Sequence, residues 1–162
     1  MSVIVSDDLI TFHRVTEKLG VEHQVCQFHV RRWVGRTLHE LRETVPKDWL
    51  WVLDEIKTLL AELPLHGARR LFELWKQIPE PRIGRYASPF SPLDQLRNLL
   101  IRLSEHWDSN RLFSWHNDVP WTNNGTEQAI GRMKMCARTV RGYKSWQGMQ
   151  AGLLLSGSGL VW

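Results

Sequence analysis

The stretch Thr122-Asn123-Asn124-Gly125-Thr126-Glu127 leads into a basic, helix-prone run from Gln128 to Tyr143. A lone carboxylate precedes Arg132, Lys134, Arg138 and Arg141, and no Asp or Glu follows Glu127 to the C-terminus. At about 100° per residue, Glu127, Gly131, Lys134, Arg138 and Arg141 fall within roughly 40° of one line along a helix, beside an apolar stripe of Ile130, Met133, Ala137 and Val140. A carboxylate followed by a row of cations suits phosphate chemistry beside a metal. The same residues also read as a helix N-terminus, with Asn124 as cap and Glu127 reaching back to an orphan amide. Asp7-Asp8 is a second acidic element, placed directly after Val3-Ile4-Val5-Ser6. Carboxylates at the end of a strand can hold Mg²⁺ through hard oxygen ligands, and Asp8 can equally cap the next helix. Paired with a distant Glu at a helix start, such an aspartate makes up part of a two-metal phosphoryl-transfer site. His23-x-x-Cys26-x-x-His29 contains zinc-type ligands but is one short of a closed structural site, which favours a buried thiol and a hydrogen-bonded histidine.

The elements that must position these residues begin with an expected strand over 2–6 and an expected helix from Asp8 to Leu19. Leu9, Phe12, Val15 and Leu19 keep helical spacing, and Gly20 ends the helix. Residues 21–30 are ambiguous, with β-branched and aromatic content favouring a strand. Arg31 to Thr44 is expected to be helical through Trp33, Val34, Leu38 and Leu41. Strand, helix, strand, helix implies an α/β opening with a parallel pair. From Pro46 the pattern is helical throughout. Trp49, Val52, Leu53, Ile56, Leu59, Leu60 and Leu63 form one stripe, broken by Pro64 and Gly67, and Leu71, Phe72, Trp75 and Ile78 form a second. Pro79, Pro81, Gly84, Pro89 and Pro92 predict a surface loop. Leu93, Leu96, Leu99, Leu100 and Leu103 start a third helix running toward Trp107. Asp108 to Trp121 is mixed and aromatic, with a short extended piece expected, and a last weak helix covers Lys144 to Leu155. No internal repeat is present.

A chain of 162 residues with 43% hydrophobic content suits one domain with a real core. The net charge of +4 and pI near 9.4 fit a nucleic-acid partner without requiring one. The basicity belongs to one element, since residues 128–162 carry five Lys or Arg and no acid, leaving a net −1 for residues 1–127. Cys26 and Cys136 do not form a secreted-type framework, which points to a reduced cytoplasm. No signal peptide and no run of membrane-spanning length is visible, so a membrane partner is not expected. The nine tryptophans are read mostly as core, with Trp146 beside Lys144 placed to stack on a base. No Gly-rich phosphate loop and no Ser/His/Asp order supports other hydrolytic chemistry.

Taken together, Val3-Ile4-Val5-Ser6-Asp7-Asp8, His23-Gln24-x-Cys26-x-x-His29-x-x-Arg32 and Thr122-Asn123-Asn124-x-x-Glu127 with Lys134, Arg138 and Arg141-Gly142-Tyr143 resemble the catalytic domain of bacterial insertion-sequence transposases of the DDE type. The resemblance runs from Val3 to about Ser156. It implies a ribonuclease-H-like fold, here an α/β but mostly α domain, partial and interrupted by an all-helical insertion. On this reading residues 1–45 are the partial core, 46–107 the helical insertion, and 108–162 the return to the core with the catalytic-glutamate helix. The resemblance implies Asp7 and Glu127 as catalytic metal ligands for Mg²⁺ or Mn²⁺, with Asp8 in reserve. It implies Lys134, Arg138, Arg141 and Lys144 on DNA phosphates and Asn123 and Asn124 at the helix entry. Cys26, His29 and Arg32 form the structural motif, and zinc is not expected there.

The implied partners are DNA, at the element ends and at the target, in a bacterial, nucleoid-associated setting; a homo-oligomer stays open. In the family the first catalytic aspartate lies on the first strand of the fold, upstream of the second, and only six residues precede Asp7. The chain is therefore expected to be the C-terminal part of a transposase, inactive alone, with exposed apolar surface and an open sheet edge where the first strands belong. A basic DNA-binding or regulatory protein without catalytic descent is the alternative, and a small zinc module on His23, Cys26 and His29 is a third.

Overall fold

The computed structural model describes residues 2–80, 91–139 and 145–157. Most of the proline-rich loop, the Arg141-Gly142-Tyr143 turn, Lys144 and the apolar tail lie outside the described residues. The chain divides into two compact units, Met1–Trp121 and Thr122–Trp162.

The first unit opens with strand β1 (Val3–Ser6), helix α1 (Ile10–Leu19) and strand β2 (Glu22–Val25). The strands pair in parallel, from Val3 opposite Glu22 to Ser6 opposite Val25. Parallel strands need a crossover, and α1 supplies it. Gly20 makes the return possible: its φ of 61° lies in the left-handed region, and its amide closes on the carbonyls of Thr16 and Glu17. The expected α1 stripe is present in spacing but not in burial. Leu9, Phe12, Val15 and Leu19 are 36–63% exposed. The two-stranded sheet holds no further strand among the described residues.

Residues 21–30, ambiguous in sequence, divide at Cys26. The strand ends at Val25 and helix α2 runs from Gln27 to Thr44. Val30, Val34, Leu38 and Leu41 follow at helical spacing and are all buried, so packing extends the helix four residues before the expected Arg31. Helices α3 (Leu50–Glu62), α4 (Gly67–Gln77) and α5 (Pro92–Glu105) bury Val52, Leu53, Ile56, Leu71, Leu74, Leu96, Leu100 and Leu103 against one another and against α2. Each such side chain contributes roughly 1.5–3 kcal/mol by leaving water.

Two buried cations close helix ends in this layer. Arg97 donates to the carbonyls of Trp75 and Ile78 at the end of α4, and Arg111 donates to the Leu63 carbonyl at 3.0 Å. Both satisfy C-terminal carbonyls that have no partner within their own helix. Trp107 Nε1 donates to the Pro64 carbonyl at 2.9 Å, which locks the α3–α4 connection from the other side.

The extended piece expected between Asp108 and Trp121 is not observed. The described residues there form helix α6 (Trp107–Arg111) and a 3₁₀ turn over Leu112–Ser114. Its anchor is polar rather than β-type: Gln24 Oε1 accepts from the Phe113 amide at 2.9 Å, and the Gln27 amide side chain donates to the Asn110 carbonyl. The reading of the tryptophans as mostly core also needs correction. Trp107 is fully buried, Trp33, Trp49 and Trp75 are partly buried, and Trp51, Trp115, Trp121 and Trp146 are 44–71% exposed.

The second unit is helix α7 (Asn124–Thr139) packed on helix α8 (Trp146–Gly157). Ser145 Oγ accepts from the Gly148 amide at 3.1 Å, satisfying one free donor at the start of α8. The expected start of the last helix at Lys144 lies outside the described residues.

Candidate functional site

The chemistry of the first unit gathers at the carboxyl end of its two strands. The amide of Cys26, just past β2, donates to the Ser6 carbonyl at 2.7 Å, and the amide of Gln27 donates to the Trp121 carbonyl at 2.9 Å. Asp7, Asp8, the start of α2 and the last residue of the unit therefore share one edge. In parallel sheets this is the edge that binds ligands, because helix N-termini and loop side chains converge there.

The two aspartates are not equivalent. One oxygen of Asp8 accepts from His13 Nε2 at 2.9 Å and the other from Arg102 at 2.5 Å. Arg102 also donates to the Asp8 carbonyl at 3.3 Å and lies 4.5 Å over the ring of Trp33. The Asp8 side chain is only 9% exposed. It therefore fastens α1 and α5 to the strand end. It does not cap α1, whose cap position is Leu9 and carries no side-chain cap bond. Asp7 is half-buried, and its carboxylate accepts no hydrogen bond and joins no ion pair among the described residues.

Behind Asp8 runs a chain of polar contacts. Ser6 Oγ lies 2.8 Å from His23 Nε2, His23 Nδ1 lies 3.3 Å from His13 Nδ1, and His13 Nε2 meets Asp8. A carboxylate only accepts, so with both rings neutral the directions are forced. His13 donates to Asp8, His23 donates to His13, and Ser6 donates to His23. The His106 ring packs 4.3 Å from that of His13. Burial, then the neighbouring His13, lowers the His23 pKa from 6.5 to about 4. Burial, then His13, lowers that of His106 as well.

Cys26 is fully buried, His29 is half-buried in the first turn of α2, and Arg32 is exposed one turn further on. No group of three or more His, Cys, Asp or Glu among the described residues is arranged to hold a metal ion. An open cleft of about 520 Å³ is lined by Glu22, Asp108 and Trp115 among others. Glu22 marks the amino end of β2, and the lining holds no Lys or Arg, so the cleft suits neither phosphate nor the chemistry of Asp7.

In the second unit, α7 begins at Asn124, one residue earlier than the capping reading requires. The Glu127 amide donates to the Asn123 carbonyl at 3.0 Å, which puts Asn123 in the cap position and Glu127 fourth in the helix. Asn124, Glu127, Gly131, Arg132 and Lys134 are exposed. Ile130, expected in the apolar stripe, is 44% exposed. Arg138 lies on α7 with its side chain outside the described residues, and Arg141 and Lys144 lie outside them entirely. Asp7 and Glu127 belong to different units.

The structure thus adds His13, Asn110, Arg102 and His106 to the residues that build the edge. Arg102, His106 and Asn110 meet partners more than 80 residues away along the chain, whereas His13 meets Asp8 five residues back. The model of the family described as "Transposase IS66 family" matches residues 1–151. No curated protein and no solved structure matches the chain. With nearly the whole length covered, this chain belongs to the IS66 family of insertion-sequence transposases, of the DDE type.

Proposed function

We propose that the chain carries two of the three carboxylates of a metal-dependent DNA strand-transferase, Asp7 and Glu127, in the C-terminal part of a ribonuclease-H-like catalytic domain. The observation that carries the reading is the contrast at the strand end: Asp8 is fully engaged by His13 and Arg102, while the carboxylate of Asp7 has no partner among the described residues. An oxygen donor left unclaimed at the carboxyl edge of a parallel sheet fits Mg²⁺ or Mn²⁺. The bound ion would supply activation of an attacking oxygen and stabilisation of a leaving one. The residues of the chain would do the rest. Asp7 and Glu127 would hold the ion, Lys134, Arg138, Arg141 and Lys144 would take DNA phosphates, and Asn123 and Asn124 would shape the entry to α7. Cys26, His29 and Arg32 would form the structural motif at the strand-to-helix turn.

The exposed stripe of Leu9, Phe12, Val15 and Leu19, together with a sheet that holds two strands among the described residues, supports the fragment reading, in which further strands of the fold cover this face. The chain alone is then catalytically incompetent. The test combines Mn²⁺ binding with DNA nicking and strand transfer. Weak Mn²⁺ binding by the chain is expected to be lost in Asp7→Asn and Glu127→Gln and kept in Asp8→Asn, with no strand transfer by any of them. Mn²⁺ binding indifferent to Asp7→Asn would remove Asp7 from the site, and robust cleavage abolished by Glu127→Gln would end the claim of incompetence.

A further inference from the structure

Of the exposed face of α2, only Arg32 enters the reading above, as part of the structural motif. Phe28 is 51% exposed, and Arg31, Arg32 and Arg36 are exposed on the same side of the helix, within about 80° on either side of the Phe28 direction. None of the three arginines forms an ion pair among the described residues, and α2 has no acid in its first turn, the first being Glu40. Gly35, between them, has open space where a side chain would stand, so nothing interrupts the row. At the head of the row Trp121 is 51% exposed, with the Arg31 guanidinium 5.8 Å from its ring centre. The Trp121 carbonyl accepts from the Gln27 amide, which holds that ring at the same edge as Asp7.

We infer that this face binds a DNA strand with unpaired bases, its phosphates on Arg31, Arg32 and Arg36 and one base stacked on Trp121. The inference rests on the reading of DNA as substrate and adds a surface separate from α7. Charge complementarity selects a polyanion, because three guanidiniums without a carboxylate partner among the described residues line about 7.5 Å of helix axis. The exposed aromatic ring then selects between forms of DNA. A duplex shields the faces of its bases and would meet only the arginines, whereas an unpaired strand offers a base plane to Trp121 and a flexible backbone to the row. Arg31, drawn to the same ring by cation–π attraction, sets a positive charge beside the phosphate of a nucleotide stacked there.

Fluorescence anisotropy with a labelled oligothymidylate and with a blunt duplex of equal length tests this on the full chain. Combined Arg31→Gln, Arg32→Gln and Arg36→Gln should weaken oligothymidylate binding about tenfold or more. It should also flatten the dependence of log K on log salt by about 2, at about 0.7 for each phosphate that an arginine no longer neutralises. Trp121→Ala should weaken oligothymidylate binding roughly fivefold or more and leave duplex binding unchanged, with Trp121→Phe restoring most of the affinity. An unchanged salt slope in the arginine variant, or equal weakening on both DNAs in Trp121→Ala, would overturn the inference while leaving the α7 reading intact. A chain that binds neither DNA would overturn both. Circular dichroism of each variant checks that the exposed substitutions have not altered the fold.

Discussion

Acidification should loosen the strand edge through His23. In the folded chain its ring is buried between Ser6 and His13, and its pKa falls from 6.5 to about 4. The unfolded chain restores the ordinary value. Between these two values the unfolded state takes up a proton that the folded state excludes, so stability rises with pH across the window. The contribution is fully present above about pH 6.5 and is lost as pH falls toward about 4. Linkage gives a loss of about 2 kcal/mol at about pH 5, and about 3 kcal/mol by pH 4. His106, lowered by burial and by His13, adds a loss of the same sign. Protonation also reverses a hydrogen bond: His23 Nε2 becomes a donor, and the Ser6 hydroxyl must turn to the Asp7 carbonyl, which it reaches at 3.2 Å. Urea unfolding of the chain and of His23→Gln at a series of pH values is the assay. Glutamine keeps a donor and an acceptor at the position but does not titrate. The wild-type chain should lose about 2 kcal/mol more than His23→Gln between about pH 7.5 and pH 5. Parallel stability curves for the two proteins would refute the burial argument, since every other titrating group is common to both.

Gly67 should tolerate no side chain, because a Cβ there would stand 2.1 Å from Trp107 Cζ2. Gly67→Ala is expected to cost roughly 1–3 kcal/mol or more, and an unchanged melting temperature would show that the Trp107 ring moves freely. The α1 stripe should behave as surface. Phe12→Ser and Leu19→Ser, at positions 36% and 63% exposed, are expected to change stability by less than about 1 kcal/mol and to lower binding of an apolar fluorescent dye. A drop of about 3 kcal/mol would mean that this face is covered in the chain by itself.

What the sequence disclosed and what it withheld divide along the range of the interactions. Val3 to Thr44 reads correctly as strand, helix, strand, helix because each element is set by its own periodicity, and Gly20 marks a turn that needs a left-handed residue. The stripes of α3, α4 and α5 are legible for the same reason. The turn at Cys26 shifted, and the first half of the aromatic stretch, as far as Ser114, became helical, where distant groups decide. Gln24 and Gln27 form hydrogen bonds to Asn110 and Phe113, more than 80 residues away. Periodicity also says that a helix face is apolar without saying what covers it, which is why Leu9, Phe12, Val15 and Leu19 have helical spacing yet stand exposed. The choice between Asp7 and Asp8 shows the same limit at the site itself. Adjacent and identical in type, the two cannot be separated by propensity or spacing. They are separated by Arg102, 94 residues on, which engages the second carboxylate and leaves the first without a hydrogen-bond or ion-pair partner among the described residues.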